Sequence, residues 1–232
     1  MDEYKSIKEN LSDQERRSIE QLVEKRAVVQ LYRNGLRAIP FNIINPLILS
    51  VIFISKQGHP FIYIWLGLHI LVSILRYAHI LNRTPRLLND ETVKQRYVTE
   101  FILAGLVSAL IWGIGFIYLS PVISAVNQVI FLLVLAGMAA GAYASMSSHR
   151  LTYATYLLGL FIPVTLAMFT TTNTAVPGNL LSIFVITFVA MLLITHKLAN
   201  TIILNSIRSE LVKNILIEKL QNRKSGQEQT VI

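Results

Sequence analysis

FILAGLVSALIWGIGFIYL, residues 101–119, runs for 19 positions without a single charge. That is close to the roughly 20 apolar residues an α-helix needs to cross the hydrocarbon core of a bilayer. In lipid every backbone N–H and C=O must be satisfied within the protein, so a lone apolar segment of this length reads as a helix. A water-soluble core would break such a run with polar residues every third or fourth position. Composition agrees: 53% of the 232 residues are hydrophobic and 15% are charged, against about 25% charged in an ordinary soluble domain.

Outward from this segment the same criterion gives spans at 38–54, 60–80, 98–119, 125–145, 151–170 and 179–198. The expected fold is an all-α membrane protein, a six-helix bundle. A polar stretch at 82–96 separates the second and third spans. Short connections around Ser120, around Ser147 and at 170–177 join the last four, each marked by Pro, Gly, Ser or Asn. The first span is short and holds Pro40, Asn42, Asn45 and Pro46, the composition of a segment that could turn back rather than cross.

Lys and Arg decide between these cases. Twenty of the 21 fall on one side of the six-span topology, and Lys56 alone falls on the other. The positive-inside rule then puts both termini in the cytoplasm and requires an even number of spans, so the first segment crosses. Because the basic residues lie between and beside apolar blocks rather than on one surface, the net charge of +8 points to a membrane face, not to nucleic acid. The chain has no cysteine, which excludes disulfides and thiolate chemistry.

Four regions follow. Residues 1–37 form a cytoplasmic N-terminal segment, amphipathic and helical from a capping start at Ser12 and Glu15. Residues 38–198 are the transmembrane domain, 199–221 a cytoplasmic continuation of the sixth helix, and 222–232 a disordered tail. In the continuation, Leu204, Ile207, Leu211 and Ile215 are spaced by three and four and share one face. That stripe suits either a helix lying on the headgroups or the seam of a parallel homodimer.

Within the spans the clearest packing pattern is LAGMAAGAYAS, residues 135–145. Gly137, Gly141 and Ser145 form one small-residue ridge and Ala136, Ala140 and Ala144 another, a spacing that lets two helices approach closely. Ionisable and polar residues inside spans are candidates for function. Arg76 and Glu100 sit near the cytoplasmic ends of neighbouring spans, candidates for a structural ion pair or for side chains that simply snorkel to the interface; Asn42, Asn45, Asn127 and His196 are also embedded. Trp65, His69 and Trp112 are candidates for sensing a ligand that enters between helices. No HExxH, GxSxG, P-loop or dinucleotide fingerprint is present, so no catalytic residue, cofactor or metal centre is expected. The Asn82-Arg-Thr84 glycosylation triplet falls on the cytoplasmic side and is read as chance.

Ile111-Trp-Gly113, Pro121, the run from Gln128 to Ala142, Pro163 and the segment beginning Asn200-Thr-Ile-Ile-Leu resemble, in order and spacing, the multi-span N-terminal input regions of bacterial sensor histidine kinases and of GGDEF or EAL signalling enzymes. The resemblance covers about residues 70–220 and rests on packing patterns rather than on a catalytic code. It implies a sensor of the bacterial inner membrane that passes a membrane-borne or small periplasmic cue along its last helix to a kinase or cyclase. The family's output domain is missing after Gln221. The chain is therefore expected to be a non-enzymatic input module, either separated from its output or acting through other membrane proteins. A small transporter or channel subunit and a membrane scaffold are the alternatives.

Overall fold

A computed structural model describes residues 12–57, 60–93, 95–170 and 178–229. Residues 1–11, 58–59, 94, 171–177 and 230–232 lie outside the described residues. Six helices account for almost all of the rest, and no strand occurs among the described residues. They are α1 (Asp13–Gln57), α2 (Phe61–Asn89), α3 (Gln95–Leu119), α4 (Ala125–Ser145), α5 (Arg150–Thr170) and α6 (Gly178–Gln229). All six are long and apolar enough to span a membrane.

The start of α1 is set by the residues that the spacing indicates. The backbone N–H of Ser12 donates to Glu15 Oε2 at 2.9 Å, and the Glu15 N–H donates to Ser12 Oγ at 3.3 Å. This reciprocal capping box satisfies donors that a helix start leaves open, and Asp13 and Glu15 in the first turn suit the helix dipole. α1 then runs unbroken for 45 residues, with Pro40 and Pro46 inside it. Its length is about 68 Å at about 1.5 Å per residue, twice a bilayer core, so the first span is the distal half of one rod and does not turn back. α6, at 52 residues, is a second such rod.

α6 runs without a break from 179–198 through 199–221, the continuation expected of it, and α1 likewise runs unbroken from 13–37 into 38–54. The helical hydrogen-bond ladder carries through where hydrophobicity ends. Residues 222–229, expected as disordered tail, continue α6. The polar stretch at 82–96 is helical as far as Asn89 despite Pro85. Polarity marks where a span leaves an apolar medium, not where its helix stops.

α3 packs chiefly on α5; α1 packs along α2 and also reaches α4 and α6. Gly115 of α3 lies against the Trp65 ring of α2, and the α3–α5 crossing is closest at Gly113 and Gly159. A Cβ on Gly113 would sit 2.8 Å from the carbonyl oxygen of Leu160, and one on Gly159 would meet the Leu106 side chain at 2.6 Å. The small-residue ridge of α4 behaves otherwise. A Cβ on Gly137 or Gly141 would meet nothing within 4 Å, and Gly137, Ala140, Gly141 and Ala144 are exposed. The 135–145 pattern is thus not what brings helices together here; the α3–α5 crossing uses isolated glycines instead.

The outer surface is apolar. Leu71, Ile74 and Leu75 on α2, Leu133 on α4, Leu166 on α5 and Phe184 and Ile194 on α6 are each more than half exposed. Such a coat is expected of helices surrounded by lipid. α6 is the most peripheral: between 178 and 200 its buried residues are Ser182, Leu192, His196 and Asn200, three of them polar.

Where α1 begins and α6 ends, the two helices run past the bundle and pack on each other. Ile19 and Val23 of α1 form a small core with Leu211 and Val212 of α6, against which Leu204, Ile207 and Ile215 also pack. Arg26 pairs with Glu210 at 2.9 Å and Arg208 with Glu20 at 2.8 Å. The 204–215 stripe therefore packs on the chain's own N-terminal helix, with Leu211 buried and Leu204, Ile207 and Ile215 partly so. An amphipathic stripe needs an apolar neighbour, and its spacing does not say which one.

Candidate functional site

Trp65, His69 and Trp112 are brought together. Ring centroids lie 4.8 Å apart for Trp65 and His69, 5.3 Å for Trp65 and Trp112, and 4.6 Å for His69 and Trp112, and Phe131 packs beside both indoles. Trp65 Nε1 donates to the Ile111 carbonyl at 3.0 Å. His69 Nε2 and Trp112 Nε1 have no hydrogen-bond partner among the described residues. All three side chains are buried and fill one another's van der Waals space. A ligand entering here would have to displace a ring, so the group reads as core first.

Glu100 is not the partner of Arg76. Its Oε1 accepts from Arg83 Nη2 at 2.7 Å and from Arg96 Nε at 2.6 Å, and its Oε2 lies 3.6 Å from His79 Nε2. The reason is hairpin register. α2 and α3 are antiparallel about the turn near Asp90, and Arg83 and Glu100 lie at matching distances from it. Arg76, seven residues before Arg83, is about two turns deeper at about 3.6 residues per turn.

Arg76 instead lines a cavity of about 440 Å³ between α1, α2, α4 and α5. The polar groups around it are Asn34, Arg37, Asn42 and Asn45 of α1, Ser145 of α4 and Tyr156 of α5, and among the described residues no carboxylate lines it. Arg76 is only 5% exposed, and among the described residues it makes no hydrogen bond or ion pair; Tyr156 is close enough to interact with its charge. Asn42 Oδ1 is buried without a partner. Asn45 Nδ2 donates to the sulfur of Met138 at 3.0 Å, a weak acceptor. The α4 ridge forms the far wall through Gly137, Gly141 and Ser145, so the residues read as a packing surface leave space for an occupant.

The connection between α4 and α5 lies beside this cavity, which Met146 lines. Hydrogen bonds and a ring stack hold it. Ser148 Oγ donates to the Ala27 carbonyl of α1 at 2.8 Å, and Asn200 Nδ2 of α6 donates to the Ser147 carbonyl at 2.9 Å. His196 Nε2 lies 3.3 Å from the Met146 carbonyl, and its ring stacks on Tyr153 at 4.1 Å. His149 Nδ1 accepts from the Thr152 N–H at 3.3 Å and lies 2.7 Å from Thr152 Oγ1, capping the start of α5. Burial holds the His149 imidazole below its ordinary pKa of 6.5, so it is neutral and able to accept. One short turn thus touches both long rods.

Arg76, Asn42, Asn45 and His196 stand out in sequence as polar residues within spans, but nothing there places the first three around one space. Asn34, Arg37, Tyr156, Ser148 and Asn200 carry no signal alone. The spacing of Asn34, Arg37, Asn42 and Asn45 along α1 does mark a polar face. No family model, no curated protein and no solved structure matches this chain.

Proposed function

We propose that this protein is a non-catalytic sensory module of the bacterial inner membrane, with six transmembrane helices and both termini in the cytoplasm. Occupancy or bilayer forces at the bundle bias the position of α6 relative to α1. The α4–α5 connection carries this reading, because it borders the cavity while Ser148 holds α1 and Asn200 and His196 hold α6. A shift of that turn moves two rods whose far ends meet in a core of only a few side chains around Leu211 and Ile19. Two arrangements of the rod pair give the discrete states that signalling needs. The receiver is a kinase or cyclase domain that contacts this pair in the cytoplasm.

The absence of native cysteine makes the test direct. Gln21→Cys and Asn214→Cys lie on exposed faces of α1 and α6 and accept spin labels in the full chain in lipid nanodiscs. Two distance populations are expected, with their ratio shifted by Ser148→Ala, which removes the tie to α1. One unchanging distance in every bilayer and in the variant overturns the reading, and solute uptake by proteoliposomes would replace it with transport.

A further inference from the structure

A guanidinium buried in an apolar bundle without a counter-ion is costly, because burial strips its hydration and nothing replaces it. Proteins that keep one give it a carboxylate, water or a ligand. The carboxylate nearest in chain logic, Glu100, is taken by Arg83 and Arg96, and among the described residues no Asp or Glu lines the cavity into which Arg76 faces. Arg37, exposed and one to two turns nearer the N-terminal end of α1 than Asn42, supplies a second positive charge at the rim.

We propose that the Arg76 cavity binds the head of an anionic glycerophospholipid, with its acyl chains lying against the exposed α1 and α4 faces. Three features select this class. The two guanidiniums call for a phosphate, with Arg76 able to bind it through a fork of N–H donors. Asn42 Oδ1, buried and without a partner, calls for a hydroxyl donor on the same head. The wall formed by Phe41, Gly137, Gly141 and Ala144 is exposed on the apolar outer surface, so an occupant with hydrocarbon chains reaches the site from the side without leaving lipid. A volume of about 440 Å³ corresponds to roughly fifteen water volumes of about 30 Å³ each, enough for a phosphate with a glycerol head. The inference rests on the bilayer placement in the preceding section and not on signalling.

Native mass spectrometry of the full chain released from nanodiscs tests it, with phosphatidylglycerol in a phosphatidylcholine background as the probe. Wild type is expected to retain one phosphatidylglycerol. Arg76→Met should lower that retention about tenfold or more, and Arg83→Gln, which removes a basic residue at the same end but outside the cavity, should leave it within about twofold. Gly141→Leu fills the cavity without altering charge, and a Cβ there meets nothing within 4 Å. It should also lose the lipid, and it carries the test if Arg76→Met fails to fold. Equal retention by wild type, Arg76→Met and Gly141→Leu overturns the proposal. So does competition by millimolar inorganic phosphate as strong as that by added phosphatidylglycerol, which would make the site one for a soluble anion. Lipid retention with an invariant Gln21→Cys to Asn214→Cys distance would leave this site standing and remove only the signalling reading.

Discussion

Asn200 on α6 donates its side-chain amide to the Ser147 carbonyl at 2.9 Å, and this bond fastens the most peripheral helix to the turn between α4 and α5. Both groups are buried, so neither is freely solvated when the other is lost. Asn200→Leu is expected to destabilise the α6 attachment by about 1–3 kcal/mol, the cost of leaving one buried polar group unsatisfied. Hydrogen exchange over 196–212 should rise in the variant while α3 stays protected; uniform exchange across both helices would contradict the attachment.

His149 gives the turn a pH dependence. Its imidazole accepts from the Thr152 N–H as a neutral group, and burial lowers its folded pKa below 6.5. The unfolded chain therefore takes up the proton first, so this contribution is complete above about 6.5 and is lost as pH falls towards the folded value. Melting temperature should decline on acidification through that window. His149→Asn keeps an acceptor without titrating, and its melt should lack that part of the slope.

Two glycine-to-alanine changes should behave oppositely. At Gly113 a new Cβ lies 2.8 Å from the Leu160 carbonyl and 2.9 Å from Pro163, so α3 and α5 must separate. Gly113→Ala is expected to cost about 1–3 kcal/mol through overpacking. Gly137→Ala meets open space and should leave stability unchanged or raise it by up to about 1 kcal/mol through helix propensity. Thermal unfolding of the two variants in one detergent decides the matter.

Leu211→Asp should part the extensions of α1 and α6 while the bundle itself stays intact, because the buried members of the small core that joins them are, among the described residues, Ile19, Val23, Leu211 and Val212. The Gln21→Cys to Asn214→Cys distance is expected to lengthen and broaden. Reversing Arg208 to Glu, by contrast, should change stability by less than about 1 kcal/mol, as befits an exposed pair, with Glu20→Arg restoring it.

Sequence alone determined the helical class and the number of span-length segments, because lipid-like apolar runs leave the backbone no alternative to helix and their length scales with bilayer thickness. Ser12 and Glu15 were equally legible, since a capping box is local. The tertiary structure decided what each face meets. Periodicity marks that Leu204 to Ile215 need an apolar neighbour, but only packing supplies Ile19 and Val23 from nearly 190 residues earlier in the chain. Small residues permit close approach without requiring it, so Gly137 and Gly141 border a cavity while Gly113 and Gly159 carry the crossing. Charge pairing followed the same logic: hairpin register gave Glu100 to Arg83 and left Arg76 facing the cavity. Local chemistry sets which helices form, whereas the rotation and depth of one helix against another decide which of their residues can act together.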